Sequence, residues 1–232
     1  MNKELKKVLK PLYEELAQVD PEQEYITFCA QWGKKYQKDG LLFVGRAVNG
    51  WITDCRDVEL LFKEGDENQI FAREDQMRWI EDKNECSVSQ FWRVVRAVSQ
   101  DILGVGDDWY DHIAYSNLYK LAPDGANPSN SLCKKQENVC YRIFKAEIET
   151  LQPKVVVLLA GVGWYYDFLC SLNNNSAPVL LDSIEIPYTE DKNFKIETYR
   201  IGDVIYIGSL HPQGKPEQPH IEGIIETIKK AQ

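Results

Sequence analysis

Four short apolar segments, separated by stretches with helical periodicity, constrain the fold of this 232-residue chain more than any other feature. They are residues 41–44, 113–118, 155–159 and 204–208, and the third of them contains only Val and Leu. Continuous apolar runs of this length are typical of strands that are buried on both faces. Because strands that alternate with helices favour parallel pairing with right-handed crossovers, the sequence predicts an α/β fold. We expect a three-layer αβα sandwich with a central, mostly parallel four-stranded sheet plus a C-terminal antiparallel hairpin strand.

Apolar residues at helical spacing predict the helices of this fold. The predicted helices are residues 5–16, interrupted near Pro11, and residues 21–36, 89–104, 132–151, 164–172 and 218–230. Further strands are predicted at 184–188 and 194–201, with a tight hairpin connection at 201–204. Because no internal repeat or second domain is apparent, we predict one domain over residues 1–232. It has an N-terminal helical extension at 1–40 and an acidic excursion at 51–83.

The charge balance restricts the classes of partner. The chain has 27 Lys and Arg against 36 Asp and Glu, which gives a net charge of −9, and residues 51–83 alone contribute −5. This acidity argues against general, non-specific binding of nucleic acid, because such binding needs a net basic face. A local basic site is still compatible with it.

Neither a membrane anchor nor a metal site is indicated. The chain has no apolar run long enough to cross a bilayer, and Met1–Lys10 lacks the apolar stretch of a signal peptide, so we predict a soluble cytoplasmic protein. The cysteines form no C-x-x-C pair and have no histidine at ligand spacing, which favours free thiols over a disulfide, a zinc site or an iron–sulfur cluster. The six cysteines are Cys29, Cys55, Cys86, Cys133, Cys140 and Cys170. No cofactor is predicted.

Glycines and short polar residues follow each of the four apolar strands. They are found at 45–50, 116–123, 161–163 and 208–214. Ligands of doubly wound sheets bind at the carboxyl ends of the strands, so these four segments predict the functional site.

The order and spacing of these segments resemble the uracil-DNA glycosylase superfamily, from about Leu41 to Gln232. The shared features are a glycine-containing loop after the first strand, a strand that ends in Asn117, Pro153-Lys154 before an apolar strand, and a late His211-Pro212. The resemblance implies a DNA repair hydrolase, a DNA N-glycosylase that flips uracil or another deaminated base out of the stack and removes it.

The resemblance also implies a role for individual residues. His211 would donate a hydrogen bond to uracil O2, where charge develops as the glycosidic bond breaks. Asn117 would recognise the base, because its carboxamide offers a donor and an acceptor side by side, and Asn49 would orient the attacking water. The remaining candidates are Gly45 and Trp51 at the base, and Arg46, Lys120 and Lys215 at the phosphates of DNA.

Each candidate also has an ordinary structural explanation. His211 beside a proline is typical of a turn, Asn117 of a strand-end cap, and Trp51 of a core residue. Arg46 could pair with the acidic excursion, and the two lysines could be solvated surface residues.

The sequence departs from the family pattern at two places. Arg46 and Ala47 stand where the family usually has the acid or amide that activates water, and Asn49 and Asp54 are the nearest substitutes. Gln213-Gly214 replaces the Ser-Pro that commonly follows His-Pro. Three hypotheses therefore stay open: an N-glycosylase, a superfamily member that binds a nucleobase, nucleotide or nucleic acid without cleaving it, and a protein that shares only the fold and has an unrelated small-molecule or protein-binding role.

Overall fold

The structure is a computed structural model, and it describes residues 2–47, 58–61, 80–189 and 192–231. In chain order the elements are α1 (Asn2–Leu16), β1 (Ile26–Thr27), β2 (Gln31–Trp32), β3 (Leu41–Ala47), α2 (Val58–Leu61), α3 (Lys83–Val88), α4 (Gln90–Leu103), a 3₁₀ helix (Trp109–His112), β4 (Ala114–Tyr119), β5 (Leu121–Ala122), α5 (Asn130–Leu151), β6 (Val155–Leu159), α6 (Val162–Leu172), β7 (Val179–Thr189), β8 (Lys192–Ile201), β9 (Val204–Ser209) and α7 (Glu217–Ala231).

The described residues form a seven-stranded mixed sheet with the strand order β2-β4-β3-β6-β9-β8-β7. Its four central strands, β4, β3, β6 and β9, are the predicted apolar segments and run parallel to one another. Strand β2 is antiparallel at one edge, and β8 and β7 are antiparallel at the other. The mixed α/β fold with a mostly parallel centre is therefore confirmed. The expectation of one antiparallel strand is too low, because β2 has only two residues and β7 is largely exposed, so both carry a weaker apolar signal than the buried centre.

Helices pack on both faces of this sheet. Leu42, Val44 and Leu158 lie on one face, in a core shared with α1, α5 and α6. The residues in between, such as Phe43 and Val157, lie on the other face, in a core shared with α4 and α7. Successive side chains of a strand point to opposite faces of the sheet. This alternation in β3 and β4 therefore decides which residues at their ends lie under α4 and α7.

The helix predicted at 21–36 is wrong. Residues 26–33 are all buried and include the short strands β1 and β2. Eight consecutive buried residues suit an extended segment that lies between neighbours on both sides, whereas an amphipathic helix exposes one face. The tertiary contacts of this segment with β4 and β5 override its helical spacing.

The first helix is present as α1, but the interruption predicted near Pro11 is wrong, because α1 continues through this exposed residue. Leu5, Leu9 and Leu16 pack the apolar side of α1 into the core. Other local predictions agree closely with the structure. Helix α4 ends at Gly104 in the left-handed conformation (φ 64°). The five cysteines within the described residues are free thiols. Of the helices in the described ranges, none combines the length and the apolar character that a bilayer span requires.

Candidate functional site

Asn117 and Gly45 meet at the carboxyl ends of β4 and β3. They are partners in the parallel register, and Asn117 is fully buried. A Cβ atom added to Gly45 would lie 2.5 Å from Asn117 Oδ1, which is too close for two non-bonded atoms. Only glycine therefore leaves room for the Asn117 carboxamide to lie across β3. Sequence reasoning paired these two residues in one site, and the structure brings them together.

The Tyr115 hydroxyl determines how the Asn117 carboxamide is oriented. It donates a hydrogen bond to Asn117 Oδ1 at 3.1 Å, and burial raises the pKa of Tyr115, so that the phenol stays protonated. Asn117 Nδ2 is also buried, and it has no hydrogen-bond partner among the described residues. An unpaired buried donor costs about 1–3 kcal/mol, so a ligand that presents an acceptor here would relieve that cost.

Aromatic rings connect Asn117 with His211. The ring of Tyr115 packs edge-on against Trp92 at 4.7 Å and against Phe91 at 5.8 Å between centroids. Phe91 in turn stacks on the imidazole of His211, at 5.7 Å and with 29° between the ring planes. The first turn of α4 thus supplies the aromatic rings that lie between the two predicted functional residues.

His211 is a neutral hydrogen-bond donor at physiological pH. Burial, together with the positive charges of Arg46 and Lys215, lowers the pKa of His211 from 6.5 to about 4. The backbone N–H of Gln213 donates to its Nδ1 at 3.2 Å. Because Nδ1 accepts this hydrogen bond, the single proton of the neutral ring lies on Nε2.

The loop that carries His211 is held against α4. The Gln90 side chain donates to the carbonyl oxygen of Lys215 at 2.7 Å and accepts from the N–H of Gly214 at 2.9 Å. Arg93 forms an ion pair with Glu217 at 2.7 Å, which ties α4 to the start of α7. The position of the imidazole is therefore fixed by two helices.

A small cationic pocket of about 220 Å³ lies beside His211. Arg46, Leu210, His211, Gln213 and Lys215 line it, and these described lining residues include no carboxylate. Arg46 Nε donates to the carbonyl oxygen of Ala160 at 2.7 Å, and its guanidinium lies 5.4 Å from the centre of the Trp164 ring. Burial lowers the pKa of Arg46, which nevertheless keeps its charge at neutral pH. The pocket is locally basic in a chain whose net charge is −9.

Lys120 lies elsewhere, and here the structure corrects the sequence prediction. Its side chain is fully buried and forms an ion pair with Glu147, which is fully buried too. No phosphate of DNA reaches an ammonium group enclosed in this way. Lys120 Nζ contacts Ser116 and Glu147, so the side chain lies in the core under α5 and away from the strand-end pocket.

Of the remaining predicted site residues, the structure describes Lys215 but not Asn49 or Trp51. Lys215 lines the cationic pocket, and its Nζ lies 5.0 Å from the centre of the Tyr188 ring. Asn49 and Trp51, and with them the substitute Asp54, lie outside the described residues, so their roles stay predictions.

Several residues of the site were not predicted. Phe91 falls in the helix predicted at 89–104 and Tyr115 in the strand predicted at 113–118, and neither was given a role in the site; both pack in the core while also lining the site. Ser209 and His220 form a buried pair, with 2.8 Å between Oγ and Nε2, and burial lowers the pKa of His220 to about 4. A polar residue on the apolar side of the last helix, next to Ile221, is the sequence signal that could have identified His220.

The described residues contain no group of three or more His, Cys, Asp or Glu side chains arranged to hold a metal ion. Neither a protein-family model nor a curated protein sequence matches this chain. The chemistry of the site rests on the geometry of its own residues.

Proposed function

We propose that this chain is a uracil-DNA glycosylase-like protein and acts as a DNA N-glycosylase on uracil or another deaminated base. The proposal includes the three-layer αβα arrangement of that superfamily, which is supported by the helices on both faces of the sheet. It also includes the cytoplasmic location that the sequence predicts. The observation that carries it is the neutral His211 with its proton on Nε2, joined through Phe91 and Tyr115 to Asn117.

His211 suits the departure of a base anion. When the glycosidic bond of uracil breaks, negative charge collects on O2, and a fixed N–H donor stabilises that charge in the transition state. A neutral imidazole whose Nδ1 is already occupied presents only Nε2–H, so it cannot rotate into an acceptor role without losing the Gln213 hydrogen bond. The charges of Arg46 and Lys215 further favour an anion in this place.

Asn117 suits recognition of a carbonyl on the base. Its unpaired Nδ2 can donate to O4 of uracil, while the amino group of cytosine at the same position would bring two donors together. The second lone pair of Oδ1 is left to accept from N3–H, since Tyr115 occupies only one. Because Asn117 is fully buried, entry of a base requires the residues above it to move aside.

Arg46 and Lys215 are the proposed contacts to DNA phosphates. Both line the cationic pocket, and they are held in place by Ala160 and Tyr188. Two contacts of this kind on an acidic chain give weak and strongly salt-dependent binding to duplex DNA.

Binding of a base without cleavage is the second candidate function. It is favoured by the composition of the cationic pocket, where the described lining residues offer no carboxylate to activate water. The described lining residues can bind a base and stabilise its anion, and none of them is placed as a general base for hydrolysis.

Uracil excision tests the first function directly. The protein, purified from a host that lacks uracil-excision activity, is incubated with single- and double-stranded oligonucleotides that contain one uracil, and abasic sites are then cleaved with alkali. We expect scission by the wild type and its loss in His211→Ala. The matched control is His112→Ala, since His112 lies in the 3₁₀ helix before β4, away from the strand-end site.

If oligonucleotides that contain several different deaminated bases show no scission, the glycosylase function is contradicted. Calorimetric titration with free uracil then decides the second function, which requires saturable binding that Asn117→Ala abolishes. If neither an oligonucleotide nor a base binds, only the fold is shared with the superfamily.

A further inference from the structure

A buried ion pair lies behind the strand that carries Asn117. Lys120 Nζ is 2.8 Å and 2.9 Å from the two carboxylate oxygens of Glu147, and both residues are 0% exposed. Ser116 completes the cluster, because its hydroxyl donates to Glu147 at 2.7 Å and accepts from Lys120 at 2.9 Å. The remaining hydrogen bond of the ammonium is the informative one: it goes to the main-chain oxygen of Asn117 at 2.6 Å.

Helix α5 also contacts the segment after Asn117 through a second buried side chain, Gln136. Gln136 Oε1 accepts from the backbone N–H groups of Lys120 at 3.1 Å and Leu121 at 2.9 Å, and its Nε2 donates to the carbonyl oxygen of Leu121 at 2.8 Å. Gln136 and Glu147 are both fully buried. Helix α5 therefore holds the backbone of Lys120 and Leu121 directly through Gln136, and that of Asn117 indirectly through Glu147 and the Lys120 ammonium.

The sheet itself leaves this part of β4 weakly supported. The edge strand β2 pairs with β4 only at Ala114 and Tyr115. Beyond Tyr115 the strand keeps β3 as its neighbour on one side, where Gly45 faces Asn117. Buried backbone oxygens need a donor, and at Asn117 the Lys120 ammonium supplies it.

Stability alone is a poor reason for such a cluster. Burying two charges costs several kcal/mol each, and well-packed apolar residues of the same size are often as stable or more stable. What an apolar pair cannot do is donate a hydrogen bond to the main chain of Asn117. The peptide plane of Asn117 sets the direction of its side chain, which lies on the opposite face of the sheet.

We propose that Lys120 and Glu147 are a positioning pair for Asn117, fixing its main chain from one face of the sheet so that its carboxamide is held over Gly45 on the other. The effect of this pair on binding of a base rests on the proposed function, in which Asn117 recognises the base. The positioning itself does not, because it is a statement about the orientation of Asn117 in the unliganded protein.

The double variant Lys120→Met/Glu147→Leu removes both charges and leaves no unpaired ion. Nuclear magnetic resonance of the Asn117 side-chain amide reports its orientation, and titration with free uracil reports binding. We expect a folded protein whose Asn117 amide signals shift or broaden, with a Kd for uracil raised at least about ten-fold, because small displacements of a recognising group are costly. The matched control is Lys229→Met/Asp101→Leu, which removes an exposed ion pair of similar distance and should leave both readouts unchanged.

Unchanged Asn117 signals in a folded double variant would overturn the positioning pair, whatever the wild type binds. If the wild type does not bind uracil, the base-recognition role of Asn117 fails, and the amide signals alone still decide the positioning. If the double variant does not fold, Lys120→Met/Glu147→Gln replaces it, because glutamine keeps the size of Glu147 and a hydrogen bond with Ser116 while the donor to the Asn117 main chain is still removed. The same shift of the Asn117 signals is then expected, and its absence rejects the proposal.

Discussion

Two buried polar clusters lie back to back on β4, and they differ in how completely their hydrogen bonds are satisfied. Under α5, the ammonium of Lys120, the carboxylate of Glu147 and the hydroxyl of Ser116 all have partners. Under α4, Tyr115 pairs with Asn117, and Asn117 Nδ2 is left without a partner among the described residues. A satisfied cluster can only hold the chain in place. An unsatisfied one keeps binding capacity that a ligand can use.

Breaking the satisfied cluster should have the largest effect. Glu147→Leu leaves the buried Lys120 ammonium without its counter-charge, and we expect the free energy of unfolding to fall by about 3–5 kcal/mol. Urea denaturation followed by circular dichroism measures this loss. The control is Glu149→Leu on the same helix, where an exposed contact with Lys145 at 3.9 Å contributes less than about 0.5 kcal/mol. Equal losses in the two variants would show that the buried pair is unimportant.

Filling the space under Asn117 should have the next largest effect. In Gly45→Ala the new methyl group would lie 2.5 Å from Asn117 Oδ1, so the carboxamide must move, at a cost of up to about 3 kcal/mol. Thermal denaturation and the Asn117 side-chain amide signals detect this. Gly163→Ala is the matched control, because a Cβ atom there meets nothing within 4 Å and alanine favours the helix. An unperturbed Asn117 in Gly45→Ala would refute the close packing of these two residues.

The neutral His211 makes the α4 side sensitive to acid. Its pKa is about 4 in the folded protein against 6.5 for the ordinary side chain, so between these values the unfolded chain binds more protons. Stability therefore falls as the pH falls from 6.5 towards 4, and between pH 7 and pH 5 His211 accounts for about 2 kcal/mol of the loss. The free energies of unfolding measured by urea denaturation at the two pH values should differ by about 2 kcal/mol less in His211→Gln than in the wild type. A titration of His211 near 6.5 by nuclear magnetic resonance would contradict the neutral donor.

Removing the Tyr115 hydroxyl should have the smallest effect on stability. Tyr115→Phe keeps the ring packed against Trp92 and deletes the hydrogen bond to Asn117 Oδ1, so we expect a loss of about 1 kcal/mol. The Asn117 carboxamide is then free to rotate, and its two side-chain proton signals should broaden. Tyr110→Phe, which deletes an exposed hydrogen bond to Glu81, should leave those signals unchanged. Sharp Asn117 signals in Tyr115→Phe would mean that packing over Gly45 fixes the carboxamide without the phenol.

The sequence was most informative where local patterns decide the structure. The four parallel strands, the helix that ends at Gly104 and the hairpin between Ile201 and Val204 all follow from apolar runs and turn residues. It was least informative at residues 26–33, where burial by distant strands overrides helical spacing.

Within the site, the sequence indicated which residues stand at strand ends, and it did not indicate which face they occupy. Gly45, Asn117 and His211 were predicted as site residues because they stand at the ends of apolar strands and because these segments resemble the glycosylase superfamily. Lys120 was predicted at the surface since lysine is usually exposed, and nothing in its neighbourhood along the chain indicates Glu147, 27 positions further on.

Composition and periodicity by themselves determined that this chain forms an α/β sheet with polar residues gathered at its carboxyl edge. Only the tertiary structure decided that Asn117 lies over Gly45 with one donor unpaired, and that Lys120 supports it from behind. The reason is physical: periodicity along a chain specifies the type of element and its buried side, since both depend on near neighbours. Hydrogen-bond partners and ion pairs depend on segments that meet only after folding, and the energies that choose among them are set by burial.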